Sequence, residues 1–188
     1  MSEHSGLPDL DALAGQHLRY RDLVEAGETW ARLRPDNRPR DPGSYAAMAR
    51  LCRDVLDPVI DRFGPIRITY GHAGGSLTRA MPGGIYPSLD QHAGHERRRD
   101  GAWICGRLGQ AVDFEVAGVP TSEVAAFIAG HLPFDRLYYY GRDRPLHVSA
   151  GPEECRETVV MRPVERRQIP RRLTAPAFRA WLASSAAF

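Results

Sequence analysis

The sequence contains no lysine, because all 25 basic residues among its 188 residues are arginine. A chain without lysine cannot form a Schiff base through a side-chain amine, use a lysine general base or supply the lysine of a P-loop. It also lacks an apolar run near the roughly 18 residues that a membrane span needs, so we expect no membrane partner. The 23 acidic residues nearly balance the arginines, and the net charge of +2 argues against a histone-like polycation.

Cysteine is scarce as well, with Cys52, Cys105 and Cys155 widely spaced and no Cys-x-x-Cys pair. An odd number of scattered cysteines does not indicate a disulfide framework and is typical of a reducing compartment. No basic region followed by an apolar run stands near the N-terminus, so the sequence predicts no secretory signal. We therefore expect a cytoplasmic location.

The hydrophobic pattern predicts alternating helical and extended segments in one domain-sized chain. Helices are expected over residues 10–33, 44–63 with Ser44 as N-cap and a kink or break at Pro58, 76–81, 121–131 and 175–184. Strands are expected over residues 66–70, 110–116, 136–140, 146–149 and 159–161, with a turn joining the third and fourth. This order favours an α+β fold, an antiparallel sheet with helices packed on one side.

Three regions follow from this pattern, which together predict one compact domain. Residues 1–43 form an N-terminal helical extension and loop, residues 44–161 form the core, and residues 162–188 form an arginine- and proline-rich segment with loop character and a short final helix. Arginines cluster at residues 97–99 and 162–172, where phosphate contacts would favour them. Acidic residues are interspersed among them, which indicates solvated loops, so we do not expect nucleic acid as a partner.

Candidate metal ligands stand out among the histidines and one strand carboxylate. His92 and His95 lie in a polar, glycine-containing segment, and His147 lies within a predicted strand, as does Asp113. A carboxylate within an apolar strand is costly to bury unless it is paired or binds a metal. Taken singly, a strand histidine is more often an ordinary core or surface residue, and Asp113 can face solvent. Together, two histidines and a carboxylate are a usual catalytic zinc set.

Several segments, in order, resemble the zinc D-alanyl-D-alanine carboxypeptidase superfamily, which shares its fold with the Hedgehog signalling domain. Residues 68–72 (ITYGH) resemble the family's first strand, and residues 109–113 (GQAVD) match its Gly-x-Ala-x-Asp element. Residues 132–137 (LPFDRL) and 146–149 (LHVS) resemble its final strands. The resemblance implies a Hedgehog/DD-peptidase-like fold that binds Zn²⁺. It also implies that Asp113 is the carboxylate ligand and His147 the last histidine ligand.

The family's first histidine ligand is displaced in this chain. The family places it three residues before the glycine that aligns with Gly109, where this chain has Gly106. The segment 88–92 (SLDQH) resembles the missing element moved upstream by an insertion. We therefore expect His92 as the third ligand, with His95 as the alternative and Cys105 as an outsider.

Two further departures concern catalysis. The family's catalytic Glu precedes the last histidine, but residues 138–144 (YYYGRDR) contain no Glu. Asp143 is the nearest carboxylate, Glu96 is a second candidate because a helical turn would put it beside His92, and Tyr139 or Tyr140 can assist by hydrogen bonding or proton transfer.

The second of these departures is Ala73, which stands where the family has an arginine that grips a substrate carboxylate.

The expected function is that of a zinc-dependent hydrolase or related metalloenzyme acting on a small-molecule or peptide-like amide, not that of a wall carboxypeptidase. The alternative is a non-catalytic metal-binding or interaction protein that has kept the fold.

Overall fold

The computed structural model describes residues 6–80, 87–164 and 167–184, which form an α+β fold. The helices are α1 (Tyr20–Val24), α2 (Glu28–Leu33), α3 (Pro42–Leu51), α4 (Asp57–Phe63), α5 (Gly75–Ala80), α6 (Thr121–His131) and α7 (Ala175–Ser184), with a π-helical segment at Cys52–Leu56 and 3₁₀ turns at Pro87–Leu89 and Gln91–Ala93. The strands are β1 (Ile66–Tyr70), β2 (Gln110–Val116), β3 (Arg136–Tyr139), β4 (Leu146–Ala150), β5 (Glu157–Val164) and β6 (Arg167–Leu173). No helix in these ranges is both long and apolar enough to cross a membrane.

The six strands form one sheet in the order β1-β2-β4-β3-β5-β6, in which only the β3–β5 pair is parallel. Cross-strand partners lie on the same face of a sheet. One row of partners therefore runs across the whole sheet on one face, and its members are Tyr70, Asp113, His147, Tyr138, Val159 and Arg172. The two predicted metal ligands on strands are thus direct neighbours.

The opposite face of the sheet carries the hydrophobic core. Alternate residues of β2, such as Val112 and Phe114, are buried on this face, where α3, α6 and α7 cover the sheet. Phe178 of α7 is fully buried. The two-residue period of each strand thus separates a helix-covered core from a polar face.

The predicted strands 66–70 and 110–116, the turn-linked strands β3 and β4, and helices α6 and α7 are confirmed. The predicted helix over residues 10–33 is wrong, because the structure forms only the short helices α1 and α2 there. Gly27, with φ of +91°, has a non-helical backbone and separates these two helices. Of the predicted helix at 76–81, α5 covers the part up to Ala80, and Met81 lies outside the described residues.

The predicted helix over residues 44–63 starts earlier, at Pro42, and continues through a π-helical segment to Phe63, so the expected break at Pro58 does not occur. The π-helical segment directly precedes α4, which carries Pro58 in its first turn. Asp41, not Ser44, caps α3, because its carboxylate accepts a hydrogen bond from the Gly43 N–H at 2.8 Å.

The predicted loop character of the C-terminal segment is wrong over β6. Residues Arg167–Leu173 pair with β5 along their whole length. Pro170 is tolerated because β6 is an edge strand, where a missing N–H can face solvent. Pairing with β5 thus outweighs the weak local strand propensity of this segment.

Candidate metal centre

Three side chains converge on the polar face of the sheet. His92 Nε2 lies 3.2 Å from His147 Nδ1 and 3.4 Å from Asp113 Oδ1. His147 Nδ1 and Asp113 Oδ1 lie 2.7 Å apart. Ligand atoms bound at 2.0–2.1 Å around a tetrahedral zinc ion lie about 3.3 Å from one another. Two of the three separations match this value, and the third is a hydrogen bond that a small shift would open.

The fold positions these three candidate ligands by two different means. Asp113 and His147 are direct cross-strand partners on β2 and β4, so the sheet itself sets their distance. His92 comes from the 3₁₀ turn Gln91–Ala93, whose start is capped by the Asp90 carboxylate through the His92 N–H at 3.1 Å. The Ala73 N–H donates to the His92 carbonyl at 2.8 Å, which ties this turn to the chain that follows β1.

The partners of His92 orient its free nitrogen towards the other two ligands. Its Nδ1–H donates to the Gly71 carbonyl at 2.8 Å, which leaves Nε2 directed at the cluster. A hydrogen bond of this kind from the second ring nitrogen typically fixes the orientation of a metal-binding histidine. His92 is 2% exposed, so its ring has little freedom to turn away.

The electrostatics of the cluster favour a bound cation. Burial alone would raise the pKa of Asp113, but His92 and His147 outweigh it and hold that pKa well below its usual range. Burial alone would lower the pKa of His92, but the Asp113 carboxylate raises it. The carboxylate therefore stays ionised and attracts a positive charge, which a proton or a metal ion can supply.

An open groove of about 1090 Å³ reaches the centre along the free edge of β1. Its walls are β1 and the segment from Arg21 to Ala31, and Tyr70 and Asp113 line it where it meets the ligands. The Asp113 side chain is 28% exposed, so the carboxylate is reachable from this side. A ligand of peptide or small-molecule size fits a groove of this volume.

Two tyrosine rings pack against the candidate ligands, and a third tyrosine lies within electrostatic reach of Asp113. The Tyr70 ring lies 4.3 Å from the His92 ring between centroids, and the Tyr138 ring meets the His147 ring edge-on at 5.0 Å. Burial, the Asp113 charge and Tyr138 raise the pKa of Tyr140 to about 12, so its hydroxyl keeps its proton at neutral pH.

Of these three tyrosines, only Tyr140 is a residue that the sequence singled out. Alternation along the strand predicted over residues 136–140 would have indicated Tyr138 as well. Tyr70 becomes visible only once β1 is paired with β2, because that pairing sets it opposite Asp113.

Two residues of the predicted site lie away from the three ligands. His95 Nε2 accepts a hydrogen bond from the Gly109 N–H at 3.3 Å, and its ring packs edge-on against Trp103. Glu96 was expected one helical turn from His92, but Gly94, with φ of +59°, ends that turn. Glu96 instead accepts hydrogen bonds through Oε1 from the N–H groups of Arg40 and Asp41 and from the Ser44 hydroxyl, which stabilises the start of α3.

The other two predicted assisting residues also lie elsewhere. Tyr139 alternates to the core face of β3, where its ring packs against Phe178 and Trp181. Asp143 is exposed in the β3–β4 turn, which the Thr121 side chain ties to the start of α6 through the Arg144 carbonyl. Among the predicted assisting residues, Tyr140 is the one whose pKa is raised by the Asp113 charge.

Comparison with known proteins leaves the class of this centre to be argued from its geometry. The chain matches no protein-family model, no curated protein and no solved structure. What the structure defines is an α+β domain with a His₂Asp group on the open face of its sheet. The resemblance to the zinc carboxypeptidase superfamily remains a prediction from the sequence.

Proposed function

We propose that the chain is a zinc-binding protein of the Hedgehog/DD-peptidase-like fold and that it hydrolyses an amide bond in a small or peptide-like substrate. The observation that carries this proposal is the convergence of His92 Nε2, Asp113 Oδ1 and His147 Nδ1 within 3.4 Å of one another. The two imidazoles and the carboxylate would hold Zn²⁺, which would supply Lewis acidity and make water acidic enough to ionise near neutral pH.

The residues around the ligands have separate roles in this proposal. The Gly71 carbonyl orients His92 through its Nδ1–H. Tyr70 and Tyr138 pack against the ligand rings and shield them from solvent. Tyr140, which stays protonated at neutral pH, is suited to donate a hydrogen bond to the oxygen on which negative charge develops during attack on a carbonyl. Ala73, a fully buried residue without a charge, offers no grip on a substrate carboxylate, which argues against a wall carboxypeptidase.

Metal analysis of the purified protein tests the ligand set. Protein grown in zinc-replete medium is expected to contain about one zinc ion per chain, and His92→Ala and His147→Ala are expected to lose it. His95→Ala is the matched control, because this histidine lies three residues after His92 and outside the cluster. Wild-type protein without zinc, or equal loss of zinc in the His95→Ala variant, would contradict the proposal.

The assignment of hydrolysis is tested separately, with a panel of dipeptides and acylated amines. Tyr140→Phe is expected to lower kcat on a cleaved amide by about 10²–10³-fold with unchanged zinc content, because it removes one donor to the developing charge. Tyr138→Phe is the control, since it removes a hydroxyl two residues earlier and keeps the ring that packs on His147.

A second candidate function is metal binding without catalysis, and the placement of the predicted bases favours it. Glu96 is engaged at the start of α3, and Asp143 is exposed in a turn. In the described residues, neither is among the side chains whose ligand atoms converge with those of His92, Asp113 and His147. Full zinc occupancy with no turnover across the amide panel would favour this second function over the first.

A further inference from the structure

The far end of the sheet carries an arginine-rich arm that is separate from the metal centre. Strand β3 pairs with β5 only over residues 157–160, so the β5–β6 pair continues beyond Val160 without a third strand. This arm consists of residues 161–164 and 167–170, four pairs that extend about 13 Å at 3.3 Å per residue. All of these residues except Met161 are exposed.

The cross-strand register places three arginines on one face of the arm and its base. The pairs Val160–Arg171, Arg162–Ile169 and Val164–Arg167 follow one another along that face. The guanidinium groups therefore alternate between the two strands along this face, with Arg171 and Arg167 on β6 and Arg162 on β5 between them. Ile169 and Val164, which are 49% and 43% exposed, lie between them.

These charges are available to a partner. In the described part of the chain, Arg162, Arg167 and Arg171 form none of the ion pairs that engage other arginines, whereas Arg172 on the opposite face is paired with Glu157 at 2.6 Å. Three cations that have no ion pair within the described residues, on a narrow arm and its base, repel one another at a cost that a polyanion would remove.

We propose that the β5–β6 arm binds double-stranded DNA by entering its major groove. The major groove is about 12 Å wide and admits a two-stranded β-ribbon, which matches an arm without a third strand. Arginine contacts phosphates and pairs with guanine edges, and exposed aliphatic side chains contact thymine methyl groups. The sequence alone indicated solvated loops here, because it did not reveal that β6 pairs with β5 and brings the three arginines to one face.

Fluorescence anisotropy with a labelled 20-base-pair duplex and the full-length chain tests this inference. Three phosphate contacts predict a slope of about −2.7 for log K against log salt, so affinity should fall about 40-fold between 50 and 200 mM NaCl. The triple variant R162Q/R167Q/R171Q should lose binding, and R162K/R167K/R171K should keep it, because lysine preserves the charge that phosphates attract. Circular dichroism should show the same melting temperature for both variants.

The matched control removes three exposed arginines elsewhere, in R32Q/R98Q/R99Q, and should bind as the wild type does. Equal loss of binding in this control would overturn the proposal, since net charge alone would then explain the affinity. Absence of binding at 50 mM NaCl would also overturn it, as would binding to vesicles containing phosphatidylserine or to poly-glutamate but not to the duplex. Chelator-treated protein should bind DNA equally well, so this outcome does not depend on the zinc proposal.

Discussion

Zinc should stabilise the folded chain by an amount that depends on Asp113. The three ligand atoms already lie within 3.4 Å of one another, so binding requires little rearrangement. A ligand that binds only the folded state stabilises it by about 2.7 kcal/mol at a free concentration of 100 times its Kd. For a chain of this size, about 1 kcal/mol corresponds to a 2–4 °C change in Tm, so Tm should rise by about 5–11 °C.

Asp113→Asn removes the charged ligand and keeps the shape of the side chain. Thermal unfolding in chelator and in zinc buffered at that free concentration should show the full rise for the wild type and a rise below about 1 °C for the variant. His131→Ala, a histidine at the end of α6, should behave as the wild type does. If Asp113→Asn shows the wild-type rise, zinc binds elsewhere and the geometric argument is wrong.

Three further predictions concern the surrounding structure. Phe178→Ala should lower the free energy of unfolding by about 3–5 kcal/mol in urea titrations, because this ring is fully buried; a loss below about 1 kcal/mol would contradict the packing. Glu96→Ala should cost about 1–3 kcal/mol, because it leaves the donors at the start of α3 unpaired, while zinc content stays unchanged. Burial alone would raise the pKa of Asp135, but hydrogen bonds from Cys155 and Gln91 and the Arg136 charge lower it. The ionised carboxylate therefore stabilises the folded state above about pH 4, and this stabilisation is lost as the pH falls through the pKa of the folded state. The Asp135→Asn variant should therefore have a lower free energy of unfolding than the wild type at pH 7, but it should lose less of it between pH 5 and pH 3. An equal loss in the variant and the wild type over this pH range would contradict the assignment.

The sequence predicts the strands of the metal centre better than it predicts their contacts. Alternation in β2 separates Asp113 from the core residues beside it, and this local pattern is visible without a structure. The register that sets Asp113 opposite His147 depends on the pairing of two distant strands, which no local pattern specifies.

The third ligand and the assisting residues were harder to predict, because each depends on tertiary contacts. The positive φ of Gly94 ends the turn that contains His92, so His95 and Glu96 follow a different path from it. Glu96 finds its partners about 50 positions earlier in the chain, at the start of α3. The spacing of residues 92 and 96 reveals neither effect, and it therefore predicts, wrongly, that Glu96 lies beside the ligands.

The tyrosines around the centre limit the chemistry that it can support. Burial and the nearby carboxylates raise the pKa values of both Tyr70 and Tyr140, so at neutral pH these hydroxyls donate hydrogen bonds and do not accept protons. Such surroundings stabilise negative charge that develops on a bound carbonyl, but they do not provide a strong base for the attacking water. Hydrolysis at this centre would therefore depend on the metal ion to acidify water, and it should be slower than in an enzyme that has a free glutamate beside its zinc.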